Sequence, residues 1–144
     1  MGSNLYFAYG SNLSVARLRE RAPSAVARGA ARALGFALRL DKRGRDGTAK
    51  ANLHPELGGV AWGAVYALDP GDWPHLDAAE PGYARFEIEV MLGEQRALAQ
   101  TYRSEQLTRD AVASASYRQL IVDGARAHAL PAEWCAWLER LPAR

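Results

Sequence analysis

Residues 6–13 read Tyr-Phe-Ala-Tyr-Gly-Ser-Asn-Leu, and this stretch decides how the fold begins. The run from Leu5 to Tyr9 is apolar and aromatic, which is typical of a buried β-strand. It stops at Gly10-Ser11-Asn12, a combination that favours a tight turn or the start of a helix. The sequence therefore predicts a strand followed by a turn that presents backbone amides, and ligand-binding turns commonly lie at such strand ends.

Gly10 permits strained backbone angles and close approach to a ligand, and successive N–H groups at a turn can bind one carboxylate. The turn lacks the repeated glycines and the lysine of a phosphate loop, so it does not predict nucleotide binding. From the spacing alone, an ordinary strand-to-helix turn is the commoner explanation. The same tetrapeptide, Gly-Ser-Asn-Leu, occurs at residues 2–5 without a preceding strand, and we expect that copy to be dispensable.

Further strands and helices follow from the periodicity of the apolar residues. A short helix is expected after the turn, with Ser14 as its cap, and a helical segment from Pro70 to about Glu80. Helical spacing returns in the C-terminal third as two helices hinged at Leu130-Pro131. Alternating or continuous apolar patterns predict strands at residues 33–40, 49–53, 59–68, 85–92 and 97–103. Residues 1–144 thus predict one α+β domain with a mostly antiparallel sheet.

Composition limits the kinds of partner. The chain carries 18 basic and 16 acidic residues, a net charge of +2, which predicts no nucleic-acid or membrane partner and favours a small molecule. The single cysteine, Cys135, excludes an intramolecular disulfide, fits a cytoplasmic setting, and lies among apolar residues as a structural thiol would. His54, His75 and His128 lack metal-ligand spacing, so no metal is expected.

The basic run on the hairpin around residues 41–47 has two explanations. It could contact an anion, but a solvated hairpin is the commoner one. The residues concerned are Arg39, Lys42, Arg43, Arg45 and Lys50.

Residues 6–13 resemble the N-terminal signature of the gamma-glutamylcyclotransferase family. Similar segments follow in order over nearly the whole chain, at residues 51–55, 60–66, 76–80, 117–121, 124–125 and 130–131. The resemblance implies a small mixed, mostly antiparallel β-barrel flanked by helices. It also implies that the substrate-binding loop consists of Tyr9, Gly10, Ser11, Asn12 and Leu13.

The same resemblance implies that Glu80, which follows a Leu-Asp pair, is the general acid/base. Three other carboxylates lie nearby in the sequence. Glu87 and Glu89 share the polar face of their strand and should be solvated, whereas Asp77 should lie on another side of its helix from Glu80. Tyr102 is similar to a pocket tyrosine of the family, and a half-buried barrel tyrosine is the alternative.

The implied reaction cyclises a γ-glutamyl group to 5-oxoproline and releases an amine, without metal or cofactor, in a monomer or homodimer. Pro81 stands where many relatives have glycine, which suggests a short lid over the leaving group. Asn12 stands where relatives specific for glutathione tend to have leucine, which argues against that specificity. A γ-glutamylamine cyclotransferase, or a non-catalytic module that binds a γ-glutamyl or carboxylate ligand, remains the alternative.

Overall fold

The computed structural model describes residues 4–144, in which five strands form a closed barrel. The strands are β1 (Leu5–Ala8), β2 (Val26–Arg43), β3 (Ala49–Ala67), β4 (Ala84–Leu92) and β5 (Gln95–Arg103). Their order around the barrel is β1-β3-β2-β4-β5, and β1 closes it by pairing in parallel with β5. All other pairings are antiparallel, which confirms the predicted mixed, mostly antiparallel barrel.

Four α-helices lie against the barrel in the described part of the chain. They are α1 (Val15–Arg21), α2 (Trp73–Ala78), α3 (Ala115–Ala127) and α4 (Ala132–Glu139). The Ser14 hydroxyl accepts a hydrogen bond from the Arg17 amide, so the predicted cap of α1 is confirmed. None of the helices within residues 4–144 is long and apolar enough to span a bilayer.

Two strand predictions were wrong because the β2–β3 hairpin is longer than its pattern indicates. β3 runs without interruption from Ala49 to Ala67, so the two strands expected at residues 49–53 and 59–68 are one element. Its register against β2 shifts between Leu34 and Phe36, where Gly58 has a positive φ of 78°. Such a bulge changes which side chains face inward, and the alternation on which the prediction depended is broken there.

Close backbone approaches fix the end of β1. A Cβ on Gly63 of β3 would lie 2.3 Å from the Ala8 carbonyl oxygen, so only glycine fits beside this strand. A Cβ on Gly124 of α3 would lie 2.6 Å from the Leu13 Cβ. The turn after β1 is therefore clamped between the barrel and α3, and its backbone has a fixed position.

Candidate active site

A narrow cleft opens beside the turn after β1, with a volume of about 30 Å³. Its walls come from β1, the turn, β3, the segment after α2, β5 and α3. The lining residues are Tyr6, Tyr9, Gly10, Ser11, Asn12, Ala51, Glu80, Tyr83, Tyr102 and Tyr117. The fold thus brings all the predicted site residues to one place except Leu13.

The turn itself is a single 3₁₀ turn over Ser11–Leu13, closed by a 3.0 Å hydrogen bond from the Leu13 amide to the Gly10 carbonyl. The first N–H groups of such a turn have no acceptor inside it. Gly10 has a φ of −116°, so it does not lie in the left-handed region that favours glycine. It is needed for space, because a Cβ there would lie 3.0 Å from the Ala51 Cβ.

Leu13 does not line the cleft. Its side chain is fully buried, and its carbonyl oxygen lies 3.4 Å from the Tyr66 hydroxyl and 3.1 Å from Nε2 of His128. Leu13 therefore anchors the C-terminal end of the turn in the core.

Glu80 lies in the bend that follows α2, and its side chain is only 16% exposed. Its Oε1 atom accepts a 2.8 Å hydrogen bond from Asn12 Nδ2 and lies 3.4 Å from Arg21 Nη1. No hydrogen bond from residues 4–144 reaches Oε2. One oxygen therefore fixes the carboxylate, and the other makes no hydrogen bond with residues 4–144.

Burial raises the pKa of Glu80 above its ordinary value, because a charged carboxylate is disfavoured away from water. Arg21 opposes this increase in pKa most strongly, followed by the hydrogen bond from Asn12 and the charges of Arg17 and Lys42. A raised pKa makes a carboxylate a stronger base, as general acid/base work requires.

Asn12 connects the turn to this carboxylate through its side chain. Nδ2 also donates to the Tyr6 hydroxyl at 3.0 Å, and Oδ1 accepts from Arg21 Nη1 at 3.1 Å. Asn12 is 3% exposed, so its amide serves to position Glu80 and Arg21.

Five of the six tyrosines of the sequence line the cleft. Tyr83 donates to the Ala51 carbonyl at 2.6 Å, and the Ala51 amide donates to the Tyr117 hydroxyl at 2.9 Å. Burial raises the pKa of these phenols, in Tyr117 to about 12, so they stay neutral at physiological pH. Sequence reasoning did not assign Tyr6, Tyr83 or Tyr117 to the site, although Tyr6 and Tyr117 lie within segments that carried the family resemblance.

The other candidate carboxylates have different surroundings. Asp77 accepts a 2.6 Å hydrogen bond from the Tyr102 hydroxyl and lies 2.9 Å from Arg85 Nε. Glu87 and Glu89 are exposed on β4, as expected of a solvated face. Tyr102 itself is 4% exposed and lines the cleft.

Cys135 is buried and lies 3.8 Å from the Leu130 carbonyl oxygen, which confirms a structural thiol. No group of three or more His, Cys, Asp or Glu side chains suited to a metal ion occurs among residues 4–144. The expectation of a solvated basic hairpin was wrong for Lys42, which is 4% exposed. Its Nζ donates to the Pro81 carbonyl at 3.0 Å, next to Glu80 in sequence.

Comparison with known proteins identifies the class to which this barrel belongs. The AIG2-like family model matches residues 60–138. A solved structure named gamma-glutamyl cyclotransferase superposes with a TM-score of 0.90 at 26% identity, covering 97% of this chain and 88% of the other. These matches confirm the barrel fold.

Curated relatives cover almost the whole chain. A gamma-glutamylcyclotransferase from Bos taurus is 34% identical over 92% of this chain and 75% of the relative. The one from Homo sapiens is 33% identical over the same shares of the two chains. The chain belongs to the gamma-glutamylcyclotransferase family of cyclising enzymes.

Proposed function

We propose that this protein converts γ-glutamyl amino acids or peptides into 5-oxoproline and a free amine, with Glu80 as the general acid/base. The observation that carries the proposal is the state of Glu80, a buried carboxylate beside the turn. Oε1 is held by Asn12, and Oε2 has no hydrogen-bond partner among residues 4–144. Family membership supports the cyclising reaction, and the geometry supports the choice of carboxylate.

The substrate supplies its own nucleophile in this reaction. Its α-ammonium gives a proton to Glu80, and the resulting amine attacks the γ-carbonyl carbon, which forms the C–N bond of the five-membered ring. Attack leaves a second surplus proton on the ring nitrogen. When the tetrahedral intermediate collapses, the bond to the leaving nitrogen breaks and Glu80 returns the first proton to that nitrogen. The freed carboxylate then takes the second proton from the ring nitrogen and passes it to the departing amine, which leaves as an ammonium ion. No water is consumed, and one positioned carboxylate can carry each proton in turn.

The turn after β1 is proposed to bind the α-carboxylate of the substrate. The amides of Ser11 and Asn12 begin a 3₁₀ turn beside Glu80, and N–H groups in that position suit an anion. An α-carboxylate held there keeps the α-amine near the carboxylate of Glu80. Such fixation contributes to the rate by removing the freedom of an extended substrate.

We expect the purified protein to release 5-oxoproline from at least one compound in a panel of γ-glutamyl dipeptides, glutathione and γ-glutamyl-ε-lysine. The rate should be unchanged by EDTA, since the mechanism assigns no step to a metal. Measurement of 5-oxoproline and of the free amine in equal amounts checks the stoichiometry. Inactivity of the folded protein across the panel would contradict the proposal and favour a binding module. Activity confined to γ-glutamyl-ε-lysine would favour a γ-glutamylamine cyclotransferase.

The pH dependence should respond to Arg21. Because Arg21 lowers the pKa of Glu80, an Arg21→Gln variant should have a Glu80 with a still higher pKa. As the solution is acidified, Glu80 of the variant becomes protonated at a higher pH than Glu80 of the parent protein. The acidic limb of the kcat/KM profile should therefore move to higher pH. A pH profile of kcat/KM measures this shift, because it reports the free enzyme.

Arg19→Gln is the matched control for this prediction, since it removes the same charge from the same helix. Arg19 donates to the Ala25 carbonyl, away from Glu80. The acidic limb of the kcat/KM profile of Arg19→Gln should coincide with that of the parent protein. An unmoved limb in Arg21→Gln would show that Glu80 does not control this limb.

A further inference from the structure

A second, wider cavity adjoins the cleft, with a volume of about 240 Å³. Ser11, Glu80, Tyr83 and Tyr117 line both spaces, so the two are continuous around the candidate acid/base. Since the cleft next to the turn is proposed for the γ-glutamyl half, the adjoining cavity is where the leaving half of the substrate must lie.

The wider cavity is strongly basic. Five cationic side chains line it: Arg17, Arg21, Lys42, Arg45 and Lys50. Its two anionic residues are already engaged, because Asp46 lies 3.2 Å from Lys50 Nζ and Glu80 lies 3.4 Å from Arg21 Nη1. Within residues 4–144, the remaining three cations have no carboxylate within ion-pair distance.

These three cations contact neutral groups, and the five cationic side chains of the cavity exceed its two carboxylates by three charges. Arg17 Nε donates to the Ser11 hydroxyl at 3.1 Å, while Arg45 is exposed at the cavity wall. Lys42 Nζ donates to the Pro81 carbonyl and lies 4.9 Å from the centre of the Tyr83 ring.

Lys42 is the informative member of this group, because it is 4% exposed. Fully buried lysines are rare unless they are paired with an anion, since removing the ammonium from water is costly. An ammonium has three donors, and one carbonyl uses only one of them. Burial lowers the pKa of Lys42 and the charge of Glu80 opposes this decrease, but no hydrogen bond from residues 4–144 uses the other two donors, which suit a carboxylate of a ligand.

We propose that this basic cavity selects γ-glutamyl substrates whose leaving amine carries two carboxylates, as an acidic amino acid does. This inference rests on the proposed cyclotransferase activity. One carboxylate is the α-carboxylate of the leaving amino acid, and the second belongs to its side chain. With three positive charges in excess of its carboxylates, the cavity neutralises both and disfavours a cationic leaving group such as a polyamine or a lysine side chain.

The test compares isosteric substrates that differ only in this second charge. We expect kcat/KM for γ-glutamyl-glutamate to exceed that for γ-glutamyl-glutamine by about tenfold or more, the scale of a hydrogen bond to a charged group. The same order should hold for γ-glutamyl-aspartate over γ-glutamyl-asparagine, with γ-glutamyl-putrescine the poorest substrate. The preference should decrease as salt is added, because screening weakens partly exposed charges.

Variants locate the preference in the cavity. Lys42→Met should bring the glutamate-to-glutamine ratio close to one, and Arg45→Gln should lower it. Arg43→Gln is the matched control, since Arg43 is a neighbour on the same strand that donates to the Leu107 carbonyl and does not line the cavity. Its ratio should equal that of the parent protein. If Lys42→Met fails to fold, Arg45→Gln decides the question.

The outcomes separate this inference from the activity on which it rests. Turnover of both substrates with a ratio of one or below would overturn the selectivity and leave the cyclotransferase activity in place. An equal decrease of the ratio in Arg43→Gln and Arg45→Gln would also overturn it, because the effect would then come from net charge. The absence of 5-oxoproline from every compound would overturn both proposals.

Discussion

Glu80→Gln is expected to lower turnover by roughly a hundredfold or more, the scale of losing a general acid/base. Glutamine keeps the size of the side chain, and its Oε1 can still accept the hydrogen bonds that Asn12 and Arg21 donate. It cannot take a proton from the α-ammonium of the substrate or return one to the leaving amine. Steady-state kinetics on the best substrate of the panel measure the loss in kcat, and substrate affinity should be retained.

The thermal stability of Glu80→Gln distinguishes a catalytic from a structural role. Because burial raises the pKa of Glu80, the folded state holds this proton more tightly than the unfolded state does. The stability that the carboxyl contributes is therefore present below its unfolded pKa and is lost as the pH rises through its folded pKa. At neutral pH the buried charge costs stability, so the Gln variant should melt at the same temperature as the parent protein or above it.

Glu87→Gln provides the control for this variant. Glu87 is an exposed carboxylate on β4, and its substitution removes the same charge. Its turnover and melting temperature should match those of the parent protein. A folded Glu80→Gln protein with near-normal turnover would remove Glu80 from the mechanism. A large loss of stability would indicate that the contact with Arg21 holds the fold together.

The sequence predicted the local features of this site because they depend on a few adjacent residues. The strand, the turn at Gly10 and the cap at Ser14 all follow from residue types that act within one turn of the chain. The family resemblance added Glu80, which no local pattern singles out. The structure places it in a bend after α2, where Asn12 reaches it across 68 positions of sequence.

The tyrosine walls could not be predicted in the same way. Tyr83 and Tyr117 belong to segments far apart in sequence, and each contacts the backbone of Ala51 on β3. The burial of Lys42 was missed for a similar reason, since a basic residue beside a hairpin loop is usually solvated. Its surroundings depend on Pro81, which follows α2 and lies 39 positions away in the sequence.

Gly10→Val is the second substitution with a large expected effect, because it acts on the backbone that we propose to bind the substrate carboxylate. The new Cβ would lie 3.0 Å from the Ala51 Cβ and 3.7 Å from the Tyr117 hydroxyl, and the valine methyl groups would extend further into a cleft of about 30 Å³. The neighbours must move, or the turn must shift. We expect kcat/KM to fall on the order of a hundredfold, as misplacement by about 1 Å does in positioned reactions.

Three controls limit this prediction to the turn after β1. Gly71→Val introduces the same side chain where a Cβ has no neighbour within 4 Å, and it should leave the kinetics unchanged. Ser11→Ala should be milder than Gly10→Val, since the turn is proposed to bind through its amides and the Ser11 hydroxyl bonds to Arg17. Gly2→Val alters the duplicated tetrapeptide, whose residues 2 and 3 lie outside the described residues, and it should also be mild. If Gly10→Val retained the parent kinetics while Gly2→Val abolished activity, the substrate carboxylate would have to bind somewhere other than this turn.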